Sequence, residues 1–259
     1  MSIVADSTHV YVGGGTVGTA NYRAWKILRS DMSKIAESAN YGTEIRVMAD
    51  DADFLYIGVN ITGRGVRKLR KSDLVQVAEG PVTTFRSYLT GLAVDADFVY
   101  VSGIPPLWCR KLLKSDLTSL ATVSYGSYIR AQATDDDYVY ITGDAATVWK
   151  LQKSNLAKVV ETAALSSRRI MAIAVDDNHV YFADDDNNKI KRLLKTDLTS
   201  VDESIAFGGY TRAIRTDDDF VYICGYLGTT KKLRKSDLVE VAESAYGSLM
   251  FTLAVDPTV

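Results

Sequence analysis

The sequence predicts an all-β protein, a six-bladed β-propeller with four antiparallel strands in each blade. A Val-Tyr pair, or a close variant, occurs six times, with its tyrosines at Tyr11, Tyr56, Tyr100, Tyr140, Tyr181 and Tyr222. The steps between them are 45, 44, 40, 41 and 41 residues, and such a period is typical of one supersecondary unit copied along the chain. The apolar segments are short and rich in β-branched residues, whereas a helical solenoid needs longer runs with helical spacing.

The third repeat shows how each strand is predicted. Residues 91–95 form a short apolar run, and the turn chemistry of Ala96-Asp97 separates them from the aromatic and β-branched residues 98–101. Gly103, Pro105 and Pro106 then indicate a loop. A third strand over 108–113, a hairpin turn at 114–116 and a fourth strand over 117–123 complete the repeat. The approximate repeats are 6–50, 51–94, 95–134, 135–175, 176–216 and 217–259, within a single domain of residues 1–259.

Two of these strands carry a resemblance to a known repeat type. The runs Leu92-Ala93-Val94-Asp95 and Phe98-Val99-Tyr100-Val101 resemble the strand pair of the NHL and YVTN-type propeller repeats, as do residues 172–176 with 179–182. The resemblance covers essentially the whole chain, six times. It implies the propeller fold but no particular activity, because that superfamily includes enzymes, binding modules and scaffolds.

The number of strand signatures predicts how the ring closes. The signature of the innermost strand occurs seven times, whereas each other strand signature occurs six times. Its last copy is residues 253–256, and its first and weakest copy is residues 3–6. We therefore expect the C-terminal run to supply the innermost strand of the blade begun by residues 8–38.

Composition excludes several classes of function. The 259 residues include 30 basic and 32 acidic side chains, a balance that argues against a nucleic-acid scaffold. Neither a signal peptide nor a run long enough to span a bilayer is visible, so we expect a cytoplasmic or virion-associated protein that does not bind membranes. A monomer is favoured over an oligomer. Cys109 and Cys224 are predicted to be buried free thiols.

Four columns of the repeat are nearly constant and are interpreted as structural. A basic column that could form a ring for a polyanion is instead expected to pair across strands with a glutamate column, while aspartates close the turns. The basic column is Lys26, Lys68, Lys111, Lys150, Arg192 and Lys232, and the glutamates are Glu37, Glu79, Glu161, Glu203 and Glu243. The hairpin aspartates are Asp31, Asp73, Asp116, Asp197 and Asp237, and the aspartates that precede the Val-Tyr strand are Asp51, Asp95, Asp135, Asp176 and Asp217.

Function is expected where the repeats differ, at two positions that lead into the innermost strands. Ten residues before the following Val-Tyr tyrosine, arginine occupies alternate blades, and two positions earlier tyrosine is common. Arginine offers a planar fork for an anion, and tyrosine an apolar face with a hydroxyl group. The predicted ligand-binding residues at the mouth of the channel are Arg46, Tyr88, Tyr128, Arg130, Arg169, Tyr210 and Arg212. The alternative is that these arginines pair with nearby acids.

Two further features have alternative interpretations. Trp25, Trp108 and Trp149 could stack on sugars or bases, although packing between blades is the commoner role of a tryptophan at such a depth. The acidic loop of residues 184–188 is interpreted as a solvated turn in preference to a cation site.

The sequence contains no catalytic motif. His9 and His179 occupy a position that holds aromatic residues in the other repeats, and neither a zinc motif nor a nucleophile elbow is present. We therefore predict no catalytic residues, no metal and no cofactor. The first hypothesis is a non-enzymatic scaffold that binds a small molecule, a glycan or a partner protein through its variable loop face. The alternatives are a hydrolase or lyase with a metal in the central channel, and a structural module of a viral or surface assembly.

Overall fold

The structure, a computed structural model, describes residues 2–15, 21–60, 65–80, 88–104, 107–165, 169–207, 209–226 and 228–245. These residues form 24 strands and no helix. The strands make six four-stranded antiparallel sheets, each of which follows the chain as a meander. We number these sheets as blades 1 to 6. The all-β class and the four strands of each repeat are thus confirmed.

The first of two compact units ends at Tyr125 and contains blades 1 to 3. Blade 1 consists of β1 (Ser2–Ala5), β2 (His9–Gly15), β3 (Tyr22–Leu28) and β4 (Lys34–Glu37). Blade 2 consists of β5 (Ile45–Asp50), β6 (Phe54–Val59), β7 (Val66–Arg70) and β8 (Gln76–Gly80). Blade 3 consists of β9 (Tyr88–Val94), β10 (Phe98–Ile104), β11 (Trp108–Leu113) and β12 (Ser119–Ser124).

The second unit begins at Gly126 and contains blades 4 to 6. Blade 4 consists of β13 (Ile129–Thr134), β14 (Tyr138–Gly143), β15 (Val148–Gln152) and β16 (Lys158–Glu161). Blade 5 consists of β17 (Ile170–Val175), β18 (His179–Asp184), β19 (Lys189–Leu194) and β20 (Ser200–Glu203). Blade 6 consists of β21 (Thr211–Thr216), β22 (Phe220–Gly225), β23 (Thr229–Arg234) and β24 (Glu240–Ala245).

The prediction for the innermost strand of blade 1 is wrong. Strand β1 pairs with β2 from Ser2↔Gly13 to Ala5↔Val10, and β2 pairs with β3 along its other edge. Because a strand has only two edges, β2 has no edge left for another partner. The N-terminal run therefore fills the position that was assigned to the C-terminal run. Residues 253–256 lie outside the described residues.

Five of the six Val-Tyr tyrosines are buried in the core and Tyr222 is half-buried, and each of the six is hydrogen-bonded to the preceding turn. Tyr181 is fully buried, and its hydroxyl group donates a hydrogen bond of 2.8 Å to Oδ2 of Asp176. The other carboxylate oxygen of Asp176 accepts from the backbone N–H groups of Asn178 and His179 at 2.9 and 2.8 Å. The same tyrosine–aspartate bond occurs in all six blades. The interpretation of this aspartate column as turn chemistry is confirmed.

The constant basic column does not pair with the glutamate column. Lys26 and Lys150 are buried, and their ammonium groups donate to the backbone carbonyl groups of Lys71 and Lys195 in the following blade, at 3.0 and 2.7 Å. Lys68 makes the same contact with the carbonyl group of Lys114 at 2.8 Å. The predicted partner was wrong because Glu37, Glu79, Glu161, Glu203 and Glu243 stand opposite the residue one position earlier, and neighbouring residues of a strand point to opposite faces.

A second column of lysines also links neighbouring blades, by ion pairs with aspartates of the preceding blade. Lys71 pairs with Asp6 of the preceding blade at 3.4 Å and with Asp50 of its own blade at 2.6 Å, and Lys235 pairs with Asp176 of the preceding blade at 3.0 Å. Lys114 and Lys195 likewise reach the turn aspartates Asp51 and Asp135 of the preceding blades. Each of these interfaces therefore contains a basic side chain that donates forward to a carbonyl group, Arg192 in blade 5 and a lysine in the others, and a lysine that pairs backward with a carboxylate.

Cys109 and Cys224 are both buried thiols that form no disulfide, as predicted. Burial raises the pKa of the Cys109 thiol to about 12 and that of Cys224 to about 11. A reactive thiol needs a lowered pKa, so neither cysteine has the environment of a nucleophile. No helix in the described part of the chain is long and apolar enough to cross a membrane.

Candidate functional site

The alternating arginines lie at β-bulges. In blade 4, Ile129 pairs with Gly143 and Ala131 with Thr142, so that Arg130 is the extra residue between them. Arg46 and Arg212 occupy the same place in blades 2 and 6. A bulge interrupts the alternation of a strand and re-aims the side chain that it contains. The bulge therefore explains why this position differs from the ordinary inward and outward positions of the innermost strand.

A second column, four residues after the Val-Tyr tyrosine, lies beside the first. Its members in blades 4 to 6 are Asp144, Asp185 and Tyr226. The backbone N–H group of Asp144 donates to the carbonyl group of Tyr128 at 2.9 Å, and that of Tyr226 donates to Tyr210 at 2.8 Å. The sequence interpretation missed this column, although counting forward from the same tyrosines would have found it.

Glycine makes this close approach possible in blades 4 and 6. A Cβ atom at Gly143 would lie 1.8 Å from the carbonyl oxygen of Tyr128, and one at Gly225 would lie 2.2 Å from that of Tyr210. No side chain fits at such distances, so glycine is required immediately before Asp144 and Tyr226. The glycines thus bring the loop column onto the start of the innermost strand.

Arg130 and Asp144 form a closed ion pair. Nε and Nη2 of the guanidinium group each donate to one carboxylate oxygen at 2.7 Å. This two-point geometry is the strong form of an arginine–carboxylate contact. The hydrogen bonds to Asp144 raise the pKa of Arg130, and the guanidinium group also lies 5.3 Å from the centre of the Tyr128 ring.

Two arginines share the single carboxylate of Asp185. Nε of Arg169 and Nη1 of Arg212 each lie 3.6 Å from Oδ2 of Asp185, which is longer than a direct hydrogen bond. The side chain of Arg169 is 44% exposed, whereas that of Arg212 is 12% exposed. Arg212 also lies 4.7 Å from the centre of the Tyr226 ring, which packs edge-on against Tyr210 at 6.2 Å.

Asp185 is the most deeply buried of the charged groups of the site. It is 3% exposed, and its Oδ1 atom has no hydrogen-bond partner among the residues that the structure describes. Burial raises the pKa of its carboxyl group, and the guanidinium groups of Arg212 and Arg169 oppose this shift without cancelling it. A buried acceptor without a donor is uncommon and costs stability.

The acidic loop is not a solvated turn, so that prediction is wrong. Asp184 is 1% exposed, and its carboxylate accepts from Lys191 and from the side-chain amide of Asn187, both at 2.8 Å. Asp185 is buried beside the two arginines. Three consecutive acidic residues resemble a surface turn in sequence, but two of them turn inward because arginine and lysine from neighbouring strands provide counter-charges. Within the described residues, no group of three or more His, Cys, Asp or Glu could hold a metal ion.

A cavity opens at this cluster. Its volume is about 350 Å³, and Asp144, Arg169, Asp185 and Tyr210 line it. All four residues belong to the second compact unit. Of the predicted ligand-binding residues, Arg169 and Tyr210 line the cavity. Arg130 contacts Asp144 and the Tyr128 ring, and Arg212 contacts Asp185 and the Tyr226 ring. Two of the four residues that line the cavity, Asp144 and Asp185, are acids that were not predicted.

The two remaining predicted residues, Arg46 and Tyr88, belong to the first unit. Arg46 pairs with Glu44 at 2.7 Å. The side chain of Tyr88 is outside the described residues. The alternative expectation, that these arginines pair with nearby acids, therefore holds for Arg46 and Arg130, whereas Arg169 and Arg212 share the one carboxylate of Asp185.

The tryptophans are not among the residues that line the cavity. Trp108 is 5% exposed and packs in a core cluster formed by residues of blades 2 and 3, with Arg110 over its ring at 4.4 Å. Trp25 and Trp149 are half-buried and stand directly opposite Glu37 and Glu161. Packing between blades, the alternative to stacking on a ligand, is thus found for Trp108.

Comparisons with solved structures identify the fold. The chain is similar to the WD40 β-propeller domain of Doa1, with a TM-score of 0.81 and 10% sequence identity over 99% of this chain and 86% of that one. It is also similar to the computationally designed Ika8 protein, with a TM-score of 0.75 and 14% identity over 90% of this chain and 70% of that one. No protein-family model and no curated protein matches the sequence. The protein is therefore a six-bladed β-propeller, and these similarities show the fold alone.

Proposed function

We propose that this propeller is a non-enzymatic binding module that holds a small polar ligand in the cavity lined by Asp144, Arg169, Asp185 and Tyr210. The observation that carries the proposal is the Oδ1 atom of Asp185, an acceptor buried at the cavity without a donor among the described residues. Such an atom costs free energy unless something that binds there provides the donor. Nη1 of Arg212 is likewise buried without a hydrogen-bond partner within the described structure.

The cavity has the composition of a ligand site. Ligand pockets are concave, and a few polar groups fix the orientation of the ligand against aromatic side chains. Here charged groups of both signs converge with the ring of Tyr210. The site is also built from the positions at which the repeats differ, and variable loops on a regular scaffold are the usual carriers of binding. We propose a small molecule or a glycan in preference to a partner protein, because the cavity of about 350 Å³ suits a compact ligand.

We also propose that the repeats are of the NHL and YVTN type and that the protein is cytoplasmic or virion-associated. The Asp turn followed by the Val-Tyr strand in six blades supports the resemblance to NHL and YVTN-type repeats. A monomer in the cytoplasm or in a virion, without nucleic-acid or membrane partners, agrees with the balanced charge of 30 basic and 32 acidic residues.

A ligand screen with variants tests this function. A library of small polar compounds would be screened by ligand-observed NMR against the native protein and against Asp185→Asn and Arg169→Gln. We expect ligands whose affinity falls at least about 10-fold in both variants, which corresponds to about 1.4 kcal/mol. Arg169 is half-exposed, so its substitution tests the site even where Asp185→Asn lowers stability.

Arg234→Gln is the matched control. Arg234 is an exposed arginine of the same unit that pairs with Asp237 at 2.9 Å and is not among the residues that line the cavity. Its substitution should leave every affinity unchanged. A screen that yields no ligand tighter than about 1 mM, or only ligands that bind Arg169→Gln and the native protein equally, would contradict the proposal.

A further inference from the structure

The charges around the cavity leave one positive charge in excess. Arg130 and Asp144 neutralise each other through two hydrogen bonds of 2.7 Å. Arg169 and Arg212, in contrast, share the one carboxylate of Asp185, and both contacts are 3.6 Å long. Two guanidinium groups and one carboxylate carry a net charge of +1. A ligand with one negative charge would therefore complete the cluster.

The exposed arginine identifies where that charge would bind. Arg169 lines the cavity and is 44% exposed, so its guanidinium group can turn toward a ligand without leaving a buried position. Arg212 is 12% exposed and lies over the Tyr226 ring, so it is held in place. The planar guanidinium fork of Arg169 matches a carboxylate or a phosphate group.

The buried carboxylate requires a donor in the same ligand. Oδ1 of Asp185 accepts no hydrogen bond from the described residues, and a carboxylate oxygen can accept from a hydroxyl or an ammonium group. An ammonium group would lie beside the guanidinium groups of Arg169 and Arg212 and would be repelled by them. A hydroxyl group avoids that repulsion, so the donor that fits is neutral.

The aromatic wall and the volume limit the body of the ligand. Tyr210 lines the cavity and is supported edge-on by Tyr226. Tyrosine rings provide an apolar face against which the C–H groups of a ring can pack. A volume of about 350 Å³ is near the lower end for small-molecule pockets, which suits a ligand of a single ring.

We infer that the ligand is a hydroxylated anion of the size of one sugar ring, an acidic sugar, bound with its acidic group on Arg169 and a hydroxyl group on Asp185. This inference rests on the proposed function and names the chemical class of its ligand. The acidic group can be a carboxylate or a phosphate ester, because the guanidinium fork accepts both.

Titration calorimetry with matched probes tests the inference. Glucuronate carries hydroxyl groups and a carboxylate, methyl glucoside carries hydroxyl groups without charge, and cyclohexanecarboxylate carries a ring and a charge without hydroxyl groups. We expect glucuronate to bind at least about 10-fold more tightly than either of the other two. Glucose 6-phosphate, in a separate titration, distinguishes a phosphate from a carboxylate as the preferred acidic group.

Two variants test separately the contact of the acidic group with Arg169 and that of the hydroxyl group with Asp185. Arg169→Gln should remove the advantage of glucuronate over methyl glucoside, because the anion loses its partner. Asp185→Asn should narrow the advantage of glucuronate over cyclohexanecarboxylate, because an amide is a weaker acceptor for the hydroxyl group, whereas the lost charge affects both anions alike. Arg234→Gln should change none of these affinities.

The outcomes distinguish the ligand class from the function. Equal or weaker binding of both acidic sugars, relative to methyl glucoside and cyclohexanecarboxylate, overturns the inference. If another compound then binds in a manner that depends on Asp185 and Arg169, the binding module stands and only the ligand class is wrong. If no compound binds in that manner, the proposed function fails as well.

Discussion

A left-handed backbone conformation occurs at every turn between the third and fourth strands. The residue after the turn aspartate, or after Asn155 in blade 4, has a positive φ in each blade, and it is leucine in five of them: Leu74, Leu117, Leu156, Leu198 and Leu238. In blade 1 it is Met32, with φ of 60°. This conformation costs a side-chain-bearing residue about 1–2 kcal/mol. The leucines are 0–4% exposed, so burial offsets the cost, whereas Met32 is 67% exposed.

Glycine should therefore have opposite effects at equivalent turns. Met32→Gly removes the backbone strain and little burial, and should raise the free energy of unfolding by about 0.5–1 kcal/mol. Leu238→Gly removes the same strain but also a buried leucine, and should lower it by about 2 kcal/mol. Urea unfolding of both variants measures the difference. Destabilisation by Met32→Gly would show that burial does not decide the outcome.

At the same scale, the sequence predicts only part of the candidate site. Comparing the repeats directed attention to Arg130, Arg169 and Arg212 because these positions vary. It did not identify Asp185 as buried, because the burial of an acid depends on which basic groups the fold brings beside it. Arg169 is 16 residues before Asp185 in the chain and Arg212 is 27 residues after it, and no local pattern links the three.

The turn between the first and second strands is the element that depends most on ionisation. Burial alone would raise the pKa of Asp176, but hydrogen bonds from Lys235, Tyr181 and the backbone N–H groups of Asn178 and His179 outweigh it and lower the pKa. The pKa values of Asp51 and Asp135 are lowered in the same way, by Lys114 and Lys195 among other donors. The carboxylate of Asp176 thus binds the backbone of its own turn, a core tyrosine and a lysine of the following blade.

Acid should weaken this element in a direction fixed by the sign of the shift. A carboxyl group whose pKa is lower in the folded protein contributes stability above its unfolded pKa of about 3.9, and loses that contribution as the pH falls toward the folded value. Asp176→Asn should therefore lower the free energy of unfolding by about 2 kcal/mol at pH 7. Its difference from the native protein should shrink below about pH 4. Urea unfolding at a series of pH values measures this difference.

Asp177→Asn provides the control, because Asp177 is the exposed neighbour of Asp176 in the same turn. It should follow the native protein at every pH. A constant difference between Asp176→Asn and the native protein from pH 7 to pH 3 would mean that ionisation of Asp176 contributes nothing to the turn.

Element by element, the sequence predicts strands and turns well and contacts between blades poorly. The Val-Tyr strand and the aspartate turns follow from local chemistry, and the structure confirms both. The partner of Lys26 does not, because it is a carbonyl group 45 residues away in the next blade. The innermost strand of blade 1 was likewise misassigned, because two similar segments compete for one edge and sequence patterns do not decide between them.

At the scale of the whole molecule, a repeated interface joins neighbouring blades within each unit. Lys26 donates to the carbonyl group of Lys71 between blades 1 and 2, and Lys150 donates to that of Lys195 between blades 4 and 5. Lys71 also pairs with Asp6 across the first of these interfaces. In a repeat protein, stability is approximately the sum of terms for each repeat and for each interface between neighbours.

Double-mutant cycles should reveal this arrangement. Lys26→Met and Lys150→Met each remove a charge-assisted hydrogen bond and should each lower the free energy of unfolding by about 1.5–3 kcal/mol. Combined, they should add to within about 0.5 kcal/mol, because they share no partner. Lys26→Met combined with Lys71→Met should deviate from additivity by more than about 0.5 kcal/mol, because both change one interface.

The exposed Lys34 gives the baseline for these cycles, since its pair with Glu37 lies within a single strand at the surface. Lys34→Met should change the free energy of unfolding by less than about 0.5 kcal/mol. Chemical unfolding of all the variants under one condition provides every value. If Lys26→Met and Lys150→Met coupled as strongly as Lys26→Met and Lys71→Met, stability would not be distributed over separate interfaces. Additivity in both cycles would mean that the two lysines of one interface act independently, although the carbonyl group that accepts from Lys26 belongs to Lys71 itself.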